Sequence, residues 1–258
     1  MTERCAIESP IPILMYHQVD VEAPKGSPMR GLVVSPNTFS RHMWALHALG
    51  YQGLSMTGLE PYLRGEKRGR VFGITFDDGY ANNLHCALPV LRRYGFSSTC
   101  YVVADLLGQY NCWDDGRGVP HSPLMTAQEL QQWVDAGQEI GSHTLNHAFL
   151  TELDADQQWM EIAQSRLSLV SCVSQVQGVR HFCYPYGALN QVSVDHVRKA
   201  GYTTATTTVR GRVQDVDNSF LLPRVLVSRT TTWMQLLVKC LTGYEDRRRV
   251  DKLVTENQ

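Results

Sequence analysis

No stretch of this 258-residue chain stays apolar for anything near the roughly 18 residues that a membrane-spanning helix needs. Excess charge of either sign is also missing. Lys and Arg number 24 against 25 Asp and Glu, a formal net charge of −1, so the basic balance typical of nucleic-acid binders is not there. No Cys-x-x-Cys pair occurs, and the seven cysteines, at 5, 86, 100, 112, 172, 183 and 240, form an odd, scattered set. Such usage argues against a disulfide framework or a thiolate zinc site and for a reducing compartment. Neither a G-x-G-x-x-G nor a Walker pattern follows any apolar run, which leaves nucleotide binding without a motif. The first ten residues hold no apolar h-region; no signal peptide is read there, and a cytoplasmic location is expected.

What is present is a core-building composition. Hydrophobic residues make up 43% of the chain and charged residues 19%, which excludes a disordered or low-complexity chain. Short apolar runs fall at 11–16, 71–76, 99–103, 139–141, 181–184, 203–207 and 221–227. Helical patterns lie between them. Ser35-Pro36 opens the first as N-cap and N1 proline, with Phe39, Met43, Leu46 and Leu49 on one face and Gly50 as the stop. Further patterns cover 81–94, a capping box from Thr126 to Glu129, 154–169, 193–200 and 230–241. Strand and helix in alternation read as parallel α/β. About seven units without a linker suggest closure into a barrel, where chemistry sits at the carboxyl ends of the strands.

Those ends carry unusual polar residues: Tyr16-His17, Asp77-Asp78-Gly79, His143-Thr-Leu-Asn-His147 and Tyr184-Pro-Tyr186-Gly187, while the last run opens on Leu221-Leu-Pro-Arg224. Asp-Gly alone is a common turn signal. Here the pair follows a strand and precedes a helix, and adjacent aspartates on an extended backbone point in different directions. One can bind a cation while the other handles a proton. Two histidines four apart can face one point if the segment is helical, but the Glu of the zincin motif is missing. A third ligand must come from elsewhere, and Asp78 is the obvious supply. Two imidazoles and a carboxylate with open positions suit zinc, or iron or another divalent metal.

These residues resemble the polysaccharide deacetylases, the NodB-homology family of carbohydrate esterases. Thr75-Phe-Asp-Asp-Gly79 resembles the family's first motif, His143-Thr-Leu-Asn-His147 its second and Tyr184-Pro-Tyr-Gly187 its third. Two departures stand out. Cys183 occupies a position that often holds Arg, and the late motif ending in histidine has no match, since the last histidine is His196. Leu14-Met-Tyr-His17 and Leu222-Pro-Arg-Val225 are similar to the subgroup of poly-N-acetylglucosamine deacetylases, which places a histidine after the first strand.

The resemblance implies a distorted (β/α) barrel of about seven parallel strands in one catalytic domain, 11–242, between an extension at 1–10 and a polar tail at 243–258. It implies a divalent metal, zinc first and cobalt, nickel, iron or manganese after it, on Asp78, His143 and His147, with Asp77 as base. His17 would be the general acid, the Tyr186 N–H the oxyanion donor, Tyr184 and Tyr186 substrate contacts, and Arg224 the partner holding Asp77 ionised. The implied substrate is an N-acetylated polysaccharide, oligosaccharide or lipid-linked glycan precursor. Trp113, with Asp114 and Asp115, is a rim candidate for sugar. Open alternatives are a metal amidase or deformylase acting on a non-polymeric amide, and a carbohydrate-binding protein with a decayed site. A glycosidase has no use for the histidine pair. Short basic patches at 64–70 and 247–249 read as solvated surface, with weak anionic-membrane contact as the lesser option. Nothing in the sequence sets the oligomeric state.

Overall fold

All four residues of β1 (Ile13–Tyr16) and all six of β5 (Val71–Phe76) are buried, as befits parallel strands covered on both faces. The computed structural model describes residues 7, 9–175 and 178–250. Between these two strands come a short parallel ribbon, β2 (Gln18–Val19) with β3 (Val33–Val34), and then β4 (Gln52–Leu54). After them follow β6 (Thr99–Val102), β7 (Glu139–Ser142), β8 (His181–Cys183), β9 (Thr204–Arg210) and β10 (Leu222–Leu226). Neighbours pair in the order β1-β10-β9-β8-β7-β6-β5, and β5 pairs back to β1, closing seven parallel strands into a barrel.

The distortion has a definite place. β1 takes one edge of β5, from Gly73 to Phe76. The other edge is shared, with β4 pairing to Val71–Gly73 and β6 only to Thr75 and Phe76. An eighth strand is thus wedged below β6, and the apolar-run pattern misses it because Gln52-Gly-Leu54 is neither long nor continuously apolar.

Among the described residues, eight α-helices surround the barrel. α1 (Pro36–Ala48) is capped by the Ser35 side chain, which accepts the Thr38 N–H. α2 (Met56–Leu63) escapes the pattern search because Gly58 and Pro61 interrupt it. α3 (Leu88–Tyr94) follows a wide π turn at Asn83–Ala87, and α4 (Ala127–Asp135) starts on the expected Thr126–Glu129 capping box. α5 (Ala155–Trp159) runs through a second π turn into α6 (Ser165–Cys172). α7 (Gln191–Lys199) begins two residues before the expected 193, capped by Asn190, and α8 (Trp233–Leu241) starts at a Thr232 cap.

The first part of the polar tail docks on the barrel: buried Glu245 meets Arg210 at 2.6 Å and Lys239 at 2.7 Å, and Asp246 meets Arg212 at 2.7 Å. Residues 251–258, and residues 1–6 and 8 of the 1–10 extension, lie outside the described residues. No described helix is long and apolar enough to cross a membrane.

Candidate active site

Because the ring is parallel, the carboxyl ends of its strands open on one mouth. His17 follows β1, Asp77 and Asp78 follow β5, His143 follows β7 and Tyr184 follows β8. Together with Tyr186 they line one cleft of about 150 Å³. Arg224 reaches Asp77 there from inside β10.

The two aspartates part company through backbone geometry. The Asp77 N–H donates to the Tyr16 carbonyl at 2.9 Å, continuing the β5–β1 ladder. Asp78 turns into the left-handed region at φ 75°, so its carboxylate faces another way. Asp77 Oδ1 and Oδ2 accept from Arg224 Nη1 and Nη2 at 2.6 and 2.8 Å. Asp78 Oδ1 instead lies 3.3 Å from Nε2 of both His143 and His147.

The His143–His147 segment is not helical. It is a turn in which Thr144 and His147 hold φ of 67° and 58°. The two imidazoles converge here without the helix that would make a four-residue spacing bring them together. Left-handed non-glycine residues cost about 1–3 kcal/mol each and gather at functional sites. The described residues contain five: Met29, Asp78, His147 and Tyr186 line the cleft, and Thr144 lies between the two histidines. Gly187 belongs to the same set of constraints, since at φ 68° a Cβ there would lie 2.0 Å from Thr208 Oγ1. Only glycine lets the Tyr184–Gly187 turn sit this close to β9.

The donor set fits a divalent cation. Asp78, His143 and His147 are all buried, and their ligand atoms lie within 4.8 Å of one another. His143 Nδ1 lies 2.7 Å from the Cys183 carbonyl and can only donate to it, which leaves the Nε2 lone pair for a metal. Burial alone would raise the Asp78 carboxyl, yet hydrogen bonds with the two imidazoles keep it well below its ordinary value. A second trio, Asp77, His143 and Cys183, is equally compact. Arg224 occupies that one: it takes both Asp77 oxygens, and its Nη2 lies 3.1 Å from Cys183 Sγ.

Arg224 is 1% exposed and also donates to the Thr207 carbonyl and Thr75 Oγ1. Burial would raise Asp77, but the guanidinium outweighs it and holds the carboxyl below its ordinary range. Cys183, where the resembled motif often has Arg, leaves room for this guanidinium arriving from another strand. His17 turns Nε2 to within 3.9 Å of Asp77 Oδ2, and its Nδ1 is buried with no partner.

The two tyrosines differ. Tyr186 stacks on Phe149 at 3.7 Å and meets the His147 ring edge-on at 4.5 Å, and burial pushes its phenol up to about 12. Tyr184 is 0% exposed, packs against Phe182 and donates its hydroxyl to the Phe220 carbonyl. It forms wall and offers no open aromatic face. Sequence reasoning missed Tyr80, which borders Asp78 in the cleft, and Asn83, which braces the segment after β1 through the His17 carbonyl and the Val19 N–H. A larger cavity of about 680 Å³ sits at the amino ends of β9 and β10. Its buried carboxylate, Glu60, is already satisfied by Arg64, Arg180 and Thr203, so no reactive group converges there.

Fold and site together define a parallel-barrel protein with a carboxylate–histidine–histidine cluster and a separate buried, arginine-paired carboxylate at its mouth. The family model for polysaccharide deacetylases matches residues 64–205, including both aspartates, both histidines and both tyrosines of the cleft. The chain belongs to this family of hydrolases acting on amide bonds. It is 30% identical over 220 residues to YxkH of Bacillus subtilis, assigned to the same family, covering 84% of this chain and 71% of that one. The poly-β-1,6-N-acetyl-D-glucosamine N-deacetylase of Staphylococcus aureus is 21% identical over 203 residues. That alignment covers 73% of this chain and about two thirds, 66%, of the staphylococcal one. In fold, a Streptococcus pyogenes deacetylase solved with acetate superposes with a TM-score of 0.78 at 24% identity, over 90% of this chain and 98% of that one.

Proposed function

We propose that the protein is a metal-dependent N-deacetylase of amino-sugar units in a polysaccharide, oligosaccharide or lipid-linked glycan. One observation carries the reading: a buried Asp78–His143–His147 cluster and an Arg224-paired Asp77 share one cleft with His17. A divalent cation, zinc by preference for this donor set, would be held by Asp78, His143 and His147; it would acidify a water and polarise the acetyl carbonyl.

The chain supplies the rest. Asp77, kept ionised by Arg224, accepts the proton of the attacking water. The Tyr186 N–H donates to the oxygen that becomes negative in the tetrahedral intermediate. His17, beside Asp77, gives a proton to the departing amine. The cleft is smaller than the roughly 300–1,000 Å³ of pockets that enclose a whole ligand. It suits an acetamido group entering from a sugar that stays largely outside, which favours a glycan over a small free amide. The six described cysteines are free thiols, which supports a reducing, cytoplasmic setting and a glycan precursor as substrate. The test is acetate release from N-acetylated oligosaccharides by the metal-loaded protein and by the chelated protein; release unaffected by metal removal would sink the reading.

A further inference from the structure

Metal-binding histidines usually donate their second ring nitrogen to a carboxylate, carbonyl or water, which fixes the ring. His143 does so through Nδ1, to the Cys183 carbonyl. His147 does not. Its Nδ1 is buried with no partner, although the side chain is only 6% exposed. The backbone beneath it is left-handed at φ 58°, so the ring is oriented by what it packs against. One neighbour dominates: the Trp113 indole lies over the imidazole with centroids 4.4 Å apart and planes 22° from parallel. The Tyr186 edge closes a second side at 4.5 Å.

The indole is itself held. Trp113 packs on a small apolar cluster of Tyr80, Val103, Leu106 and Leu124. Its loop is pinned by fully buried Asn111, which bonds Asp114, the Pro120 carbonyl and the Ser122 N–H. We infer that Trp113 is a positioning residue for the metal centre, a stacked clamp that replaces the missing hydrogen bond of His147. Expected from sequence as a sugar contact on the rim, Trp113 instead acts on the ligand shell. The inference rests on the metal-centre reading.

Zinc affinity, measured by chelator competition without substrate, tests it in Trp113→Ala, Trp113→Leu and Trp113→Phe, with native protein and His143→Ala as references. The alanine variant should bind zinc about 10–100-fold more weakly, the loss typical of removing an outer partner of a ligand. Phenylalanine, which can still stack, should recover affinity to within about threefold, and leucine, which fills space without a π face, should not. The cobalt-loaded alanine protein should show a shifted ligand-field spectrum, whereas thermal unfolding of the metal-free variants should stay near native. Unchanged zinc affinity with a raised KM would overturn the clamp and return Trp113 to substrate binding. Equal recovery by leucine and phenylalanine would also overturn it, leaving only bulk. If native protein bound zinc no better than His143→Ala, the metal centre itself would fall, a result distinct from either.

Discussion

Arg224 grips Asp77 at two points, Nη1 to Oδ1 at 2.6 Å and Nη2 to Oδ2 at 2.8 Å, with both side chains at most 4% exposed. The pair joins β10 to the end of β5 across the barrel mouth. A buried carboxylate without that fork would protonate. With it, the carboxyl stays ionised and both its oxygens are fixed. The ionised state of the Asp77 carboxylate and its position therefore come from one contact.

Replacing Arg224 by Met should strand a buried carboxylate. Neutral-pH stability should fall by about 3–5 kcal/mol, as when one partner of a buried pair is removed. The Asp77 carboxyl should rise, so the acid limb of kcat/KM should move to higher pH. Lys keeps the charge without the planar fork and should rescue only in part. The sign for native protein follows from the lowered carboxyl: the pair stabilises at neutral pH, and this is lost as pH falls through its folded value, below the ordinary ~3.9 of Asp. Denaturant melts and pH–rate profiles check both; an acid limb that stays put would remove Asp77 as the base.

Asp78→Ala, His143→Ala and His147→Ala should each lose most bound metal and all turnover. Asp77→Asn should keep the metal and lose turnover, because Arg224 takes both Asp77 oxygens and Asp77 stands outside the proposed ligand set. Elemental analysis separates the two classes. Full metal in the Asp78 variant would reject the ligand set, and a chelator should inactivate native protein reversibly.

How far the sequence could be read depends on where each contact comes from. Asp77, Asp78, His143 and His147 were legible because each motif directly follows an apolar strand, and the seven barrel strands end or begin within three residues of the apolar runs. The wedge strand β4 and helix α2 carry glycines and a proline instead of a clean period. The left-handed turn at Thr144–His147 was illegible, since a four-residue spacing brings two imidazoles together in a helix and says nothing of a turn that does the same. Stacking of Trp113 on His147 joins loops 34 residues apart, and nothing local in either signals the other. Asn83 reads as an ordinary helix-start residue, although it carries two of the bonds that seat the His17 segment.

Glu139 heads β7 at the end of the barrel away from the mouth, with His181 Nε2 at 3.3 Å and Thr99 Oγ1 donating at 2.6 Å. Burial would raise its carboxyl, but His181, Thr57 and Thr99 bring it down to about 2. Glu139→Gln should therefore cost about 3–5 kcal/mol of stability at pH 7. The deficit against native protein should shrink as pH falls from about 4.5 to about 2, where the native carboxylate takes up its proton. Turnover of the folded variant should be unchanged. A lowered kcat at a temperature where it is fully folded would give this cluster a role it is not assigned.

Cys183 presents its thiol to Arg224 at 3.1 Å and its carbonyl to His143 at 2.7 Å. In the proposed metal centre only the carbonyl has a part, as the acceptor for His143 Nδ1. Cys183→Ser keeps both a small acceptor and the backbone, so turnover should stay within about tenfold, some 1.4 kcal/mol of barrier. Cys183→Arg should fail, because the place beside Asp77 already holds one guanidinium and a second meets like charge in a buried site. A serine variant crippled beyond tenfold would mean the thiol itself takes part.

His17 is the remaining test, since the whole proton balance of the amide reaction turns on it. Hydrolysis must deliver a proton to the leaving nitrogen, and after His196 the chain has no histidine to do it. His17 sits beside Asp77 and lines the cleft, its main chain fastened by the Asn83 side chain at 2.7 Å. It belongs to neither of the compact donor groups found among the described residues. His17→Ala should therefore keep the fold and the metal, lose about 10²–10⁴-fold in amide turnover and flatten the falling high-pH limb of the rate profile. The defect should shrink for an aryl acetate ester, whose leaving group departs without protonation. Two control outcomes discriminate: loss of metal would make His17 a ligand, and equal loss on ester and amide would make its role one of orienting Asp77. A defect confined to the amide leaves general acid catalysis as the explanation.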